Sequence, residues 1–514
     1  MPLRAPLPRP TAATVAPPGR RHPWPSPKRR GRPFALLAGL ALAIGSLPAQ
    51  AVEVLQLQLP VLGDILSARV SELASPDALW AGSSDLAELN RATDGNFAGA
   101  IEDLVNYPLP QHDYQSSPMV QQIEVLLKQL IEVDPGQEGS LDPLPLASAL
   151  ERLKARGSKA TLLSLLQEIP AQKVTIRLDR AVPLLRRFER GQRETDRLLQ
   201  GFPALPAASP AALAAGPERV QTRIVTIPVP SSNDTLQVTV VQPTTVTLPP
   251  VVISHGLWDS PASFLGWAQF LASHGAPVFL PRHPGSDISQ QAAMLAGKAP
   301  PPDPREFLRR PLDVKAVLDA LDAGSLPGAE GIRARQVTFI GHSWGGTTAL
   351  QLAGARSLPA ALWKDCALAS TPLRNISWVL QCSFLPAATD ASMADPRIVR
   401  VAAVSPPQAL VFAAGLVDLK TPVLLVSGSH DFVVPSQSEA LDPFGRYPLD
   451  HNDLVVAEGG SHFNLPADAS SNGGPLRVLL LRWVRGQRIT PSLAVTDPKG
   501  LPLRLITPAA TRRP

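Results

Sequence analysis

The sequence predicts a doubly wound α/β protein, a mostly parallel sheet with helices on both faces, preceded by a small all-helical module. Three observations carry that expectation. Short apolar runs alternate with helix-period segments over roughly the second half of the chain, as in a parallel sheet with crossover helices. One of those runs, Val337 to Ile340, leads into Gly341-His342-Ser343-Trp344-Gly345-Gly346 and then a segment of helical character. Upstream, apolar residues recur at i, i+3, i+4 spacing with none of that alternation.

Taken in order, residues 1–51 read as a leader with a Pro/Arg-rich extension. Lys28 to Arg32 are basic, Phe34 to Ile44 apolar, and Ala49-Gln50-Ala51 a small-x-small cleavage site, so export with cleavage after Ala51 is expected. Residues 52–185 form the helical module. Val120, Ile123, Leu126, Leu127, Leu130 and Ile131 make one amphipathic stripe, and Leu162 to Ile169 a second. Residues 186–220, rich in Ala and Pro toward their end, read as a linker. The catalytic domain then spans 221–487. Its expected strands are Arg223–Val229, Leu236–Val241, Val251–Ile253, Pro277–Leu280, Val337–Ile340, Ile398–Val404, Val423–Val426 and Leu454–Ala457. A lid-like insertion is expected at 356–396 and a loose Pro-rich tail at 488–514.

Charge excludes one class of partner. The 514 residues carry 48 Lys and Arg against 43 Asp and Glu, a net of +5. Eight of the basic residues and no acid lie in residues 1–51, so the remainder holds 40 against 43 and is slightly acidic. A nucleic-acid partner is therefore not expected. Two cysteines build neither a disulfide scaffold nor a four-thiolate zinc site. Cys366 and Cys382 lie in the insertion, where export makes a disulfide feasible. The sequence shows no P-loop, dinucleotide fingerprint or metal-ligand spacing, so neither cofactor nor metal is expected.

The chemistry centres on Ser343. A G-x-S-x-G turn between a strand and a helix lifts its hydroxyl above the sheet edge, and the flanking glycines spare the turn its steric collisions. A serine hydroxyl needs a base, and the base an orienting carboxylate. Asp431 follows the strand Val423–Val426, at the sheet edge that carries the elbow. Of nine histidines only His451 and His462 come later. His462 follows the strand Leu454–Ala457 and His451 precedes it, which selects His462 as base. Val251–Ile253 runs into Ser254-His255-Gly256-Leu257, a turn placing a backbone N–H beside the elbow. The oxyanion donors are thus assigned to the amides of Leu257 and Trp344, whose side chains remain to line the pocket. His255, Gly256 and His342 are read as loop support, and so are His283 and His430.

The motif set V-V-I-S-H-G, P-R-H-P-G-S from Pro281, R-R-P-L-D-V-K from Arg309, G-H-S-W-G-G and G-S-H-D-F-V-V-P resembles predicted dienelactone hydrolases. That grouping of the α/β-hydrolase fold includes relatives of platelet-activating factor acetylhydrolase. The N-terminal module is similar to an uncharacterised domain that precedes such hydrolases in cyanobacterial members. The resemblance implies esterase or lipase-like hydrolysis and, more loosely, lipid degradation. Two departures stand out. Acetylhydrolases of that type carry the acid after the preceding strand, where this chain has Ser405-Pro406-Pro407, and dienelactone hydrolase proper uses a cysteine where this chain has Ser343. The resulting expectation is an exported serine hydrolase of carboxylic esters. The alternatives are a lipid-directed phospholipase or acetylhydrolase with transient membrane contact, and a binding protein on a hydrolase fold.

Overall fold

A computed structural model describes residues 51–60, 64–109, 117–134, 146–232, 234–357, 366, 375–412, 416–447 and 451–507. The expected leader falls on residues 1–50, outside the described residues. Among the described residues, no helix is long and apolar enough to cross a membrane.

Among the described residues, thirteen strands form two sheets. Strands β1 (Val54–Gln58), β2 (Ile65–Arg69), β3 (Ile131–Val133) and β4 (Lys173–Arg177) make a small sheet in the order β2-β1-β4-β3. The other nine are β5 (Val220–Val229), β6 (Asp234–Pro243), β7 (Val251–Ser254), β8 (Val278–Pro281), β9 (Val337–His342), β10 (Ile398–Val404), β11 (Val423–Gly428), β12 (Asp453–Ala457) and β13 (Leu503–Ile506). They run in the order β13-β12-β11-β10-β9-β7-β8-β6-β5. Six of them, β8 to β12 with β7, pair in parallel, while β5, β6 and β13 pair antiparallel at the edges.

The central strands are short because both of their faces are covered, which is why they read as unbroken apolar runs. Alternate residues feed two cores. Phe339, Val401, Leu425 and Val456 point into one. Ile340, Ala402, Val426 and Val455 point into the other. The chain leaves β7 for β8 on one side and returns to β9 on the other, and such a switch point opens a crevice at the strands' carboxyl ends. The α/β-hydrolase fold expected from the sequence is what the chain adopts.

Four expectations need correction. The N-terminal module is not all-helical. Its strands VLQLQ and KVTIR pair in parallel and share a core with the helix Leu162–Glu168. The stretch 186–220 is not a free linker. Its first part completes a 23-residue helix, Leu178–Gln200, and Leu199 and Met119 are buried in the catalytic core itself. Leu205 and Ala208 are buried in the other core, and the Leu205 N–H donates to the Leu503 carbonyl at 2.7 Å. Nor is the tail loose through 507. β13 pairs with β12 from Leu454↔Ile506 to Ala457↔Leu503, and Ile489 and Val495 are buried.

The described part of the insertion is a packed element and not a lid. Its helix Ile376–Phe384 lies between the catalytic core and the helix Pro118–Leu130 of the N-terminal module. Cys366 and Cys382 are paired in a disulfide, with Cα atoms 5.6 Å apart.

Candidate active site

Strand β9 ends at His342, and Ser343 turns the chain into the helix Trp344–Ala353 with φ 53° and ψ −123°. A side chain in this conformation is strained, so the surroundings must impose it. They do so by crowding. A Cβ at Gly341 would sit 2.0 Å from the Gly345 carbonyl oxygen, and one at Gly345 would sit 2.2 Å from that of Ser254. Only glycines let β7, β9 and the helix come this close. The Ser343 N–H donates to the Val404 carbonyl at 2.8 Å, tying the turn to β10.

Asp431 and His462 come from the loops after β11 and β12. The two loops are laced together. His430 N–H donates to the Gly460 carbonyl at 2.8 Å and Ser429 N–H to that of Ala457 at 3.0 Å. Gly428 allows the contact, since a Cβ there would lie 2.3 Å from the Gly460 oxygen. Asp431, 1% exposed, uses its two oxygens for different tasks. Oδ1 accepts from the N–H groups of Val433 at 3.0 Å and Val434 at 2.7 Å. Oδ2 accepts from His462 Nδ1 at 2.8 Å. With its Nδ1 proton directed at a carboxylate, His462 keeps Nε2 free to accept one.

Ser343 and His462 line one cavity of about 270 Å³, together with Gly256, Leu257, Trp258 and Phe463. The Leu257 turn lies directly against the serine. A Cβ at Gly256 would be 3.1 Å from Ser343 Cβ and 3.6 Å from its Oγ. Leu257 lines the cavity as expected. Trp344 does not: its indole is buried beneath the elbow, between Phe384 at 4.4 Å and Phe307 at 6.0 Å. Its backbone N–H stands at the first position of the helix, where no intrahelical acceptor exists.

The support of the Leu257 turn is anticipated only in part: His255 and His283 are read as loop support, while Arg310, Glu306 and Asp313 are given no role. Arg310, fully buried on the helix Glu306–Ala323, donates to the His255 carbonyl at 2.6 Å and the Gly256 carbonyl at 3.0 Å. It also donates to Ser286 Oγ at 3.0 Å, and that hydroxyl donates to Glu306 Oε2 at 2.7 Å. Burial lowers the Arg310 pKa to about 10, against the pull of Glu306 and Asp313, and raises that of Glu306. One turn further along, Asp313 Oδ2 meets His283 Nδ1 at 2.8 Å, and His283 Nε2 meets Ser254 Oγ at 2.9 Å. Burial pushes Asp313 up to about 7 and His283 well below its ordinary range, so this pair shares a proton and does not separate charge. The His283 N–H donates to His255 Nε2 at 3.1 Å, leaving His255 Nδ1 to donate to the Gly256 carbonyl at 2.7 Å. The sequence held a further signal for the helix side of this network. Glu306, Arg310 and Asp313 fall at i, i+4, i+7, polar residues on the helix face that also carries Val314 and Val317.

The remaining histidines divide by position. His342 stacks on His462 at 4.7 Å and donates from Nε2 to the His462 carbonyl at 3.1 Å, which fits its reading as loop support. Burial, reinforced by the charge that His462 would carry, holds His342 neutral. His451 bonds the Leu419 carbonyl at 2.9 Å, away from the cavity. His430 reaches Asp196 on the helix Leu178–Gln200 at 3.3 Å. Ser405, where the resemblance sets the alternative acid, is buried with its Oγ unpartnered among the described residues. Among those residues, no group of three His, Cys, Asp or Glu is placed to hold a metal.

Residues 251–471 match the model of the alpha/beta hydrolase family, the stretch from β7 through the His462 loop. The match supports membership of that superfamily and a hydrolase activity in general. No curated protein matches the chain.

Proposed function

We propose that the chain is an exported serine hydrolase of carboxylic esters. The observation that carries this reading is the joint presence, in one small cavity, of a serine on a strained elbow and a histidine oriented by a buried carboxylate. Ser343 Oγ attacks the ester carbonyl carbon while His462 Nε2 takes its proton. Asp431 holds the resulting imidazolium, and the Leu257 and Trp344 amides bind the oxyanion. The tetrahedral adduct collapses, the C–O bond to the alcohol breaks, and the alcohol leaves with the proton from His462. Water, deprotonated by His462, then releases the acid and restores Ser343. The residues supply this chemistry themselves and call for no cofactor.

Export rests on the leader anatomy and on the Cys366–Cys382 disulfide, a bond that persists in oxidising compartments. Val52, just past the expected cleavage site, is buried in the core of the N-terminal module.

Ser343→Ala is expected to abolish turnover of p-nitrophenyl acetate and labelling by a fluorophosphonate. Wild-type turnover persisting in the variant would overturn the assignment.

A further inference from the structure

The cavity of about 270 Å³ falls at or below the lower end of the range for small-molecule sites, so a larger ester must extend beyond it. Its mouth is asymmetric. The His462 ring meets Phe463 edge-on at 5.4 Å, Phe463 lies 6.2 Å from Phe432, and Phe432 lies 6.4 Å from Phe188 in a T-shaped contact. Four rings thus run in file from the base to the N-terminal module. Phe463 is 71% and Phe432 49% exposed, and Leu185, one turn from Phe188 on the same helix, is 60% exposed.

Two exposed phenylalanines in contact, with the half-buried Phe188 against them, make a contiguous apolar patch beside the cavity, the kind of surface that marks a binding site. The backbone under the file is braced. Asp431 Oδ1 fixes Val433 and Val434 beside Phe432, Asn464 Oδ1 takes the Ser461 N–H at 2.7 Å beside Phe463, and Asp196 holds His430. The rings are therefore presented in fixed positions, and little ordering is left to oppose binding.

We infer that Phe463, Phe432 and Phe188 form a subsite for the apolar limb of the ester, an acyl chain of medium length, with the N-terminal module supplying its outer end. The inference rests on the esterase reading, and the experiment separates the two. The ratio of kcat/KM for p-nitrophenyl octanoate over acetate is measured for wild type, Phe188→Ala and Phe463→Ala. Each substitution is expected to lower the ratio about tenfold, the scale of a few lost methylene contacts. Phe463 is exposed enough that its variant folds even if Phe188→Ala does not.

In parallel, dodecanoate binding to Ser343→Ala is followed by calorimetry, with and without Phe188→Ala. Binding that weakens about tenfold supports the subsite even where the wild type hydrolyses no ester. A ratio and a Kd both within twofold of their references overturn it. So does loss of binding to phosphatidylglycerol vesicles in Phe463→Ala with the ester ratio unchanged, which would make the file a bilayer contact.

Discussion

On one flank of the site, His462 and Asp431 sit on adjacent loops 31 positions apart, fastened by backbone hydrogen bonds across Gly428 and Gly460. On the other, the Leu257 turn hangs from Arg310, whose guanidinium reaches back 55 positions to the His255 carbonyl. The first flank uses backbone amides and a single carboxylate, Asp431, buried behind His462, which alone of the two lines the cavity. The second buries Arg310, Glu306 and Asp313 outright. A buried polar network is rigid when complete and costly when broken, because each orphaned group loses both water and partner. Damage to the first flank should therefore cost rate, and damage to the second should cost stability and rate together.

The largest effect is expected at Asp431→Asn. The amide oxygen can keep the Val433 and Val434 N–H bonds, which leaves the NH2 facing His462 Nδ1. The imidazole then adopts the wrong tautomer, and kcat falls by about 10⁴ on the pattern of such triads, with unfolding free energy changed by less than about 1 kcal/mol. A loss of stability matching the loss of rate would erase the contrast between the flanks.

Arg310→Met is expected to lower kcat/KM about 10²-fold through the oxyanion turn and to destabilise the fold by about 3–5 kcal/mol in urea titrations. Arg310→Lys keeps the charge but not the fork, and should recover little of the rate. A Lys variant with wild-type kinetics would reduce Arg310 to a counter-charge.

The smallest effect tests the shared proton. A pKa raised to about 7 means that the Asp313 contribution to stability is full below about pH 4 and is lost as pH rises toward 7. Asp313→Asn removes it, while His283 titrates in both proteins and largely cancels in the difference. Wild type should therefore exceed the variant by about 2 kcal/mol more at pH 5 than at pH 8. A gap independent of pH would show that Asp313 is ionised in the fold.

The contrast also explains what was legible in the sequence. The first flank was readable because each residue follows an apolar run whose carboxyl end faces the crevice, so chain order alone placed Ser343, Asp431 and His462 at one sheet edge. The helix side of the oxyanion support was not, because Arg310 and Asp313 owe their position to a helix packed on the sheet, a relation that spacing expresses only as polar residues on an apolar face. The indole of Trp344 was misplaced for a related reason. Its amide stands at the first position of the helix, and the side chain there points down into the core.

Outside the site, the small sheet escaped notice because its strands have five residues or fewer, too short for a clear period to emerge. The stretch 186–220 was misread as a linker because the scarcity of charge toward its end suits burial as well as flexibility, and Leu205 and Ala208 show that burial won.

The edge strand β13 has a consequence for how the molecule is made. It covers the open side of β12, and residues 204–208 lie across its far side through the pairings Ala204↔Arg504 and Ala207↔Thr496. These contacts join positions some three hundred residues apart, so the sheet stays open along β12 until residues 503–506 have been synthesised. After the chain has folded, cutting away Leu503–Ile506 would reopen the edge and leave a template for aggregation.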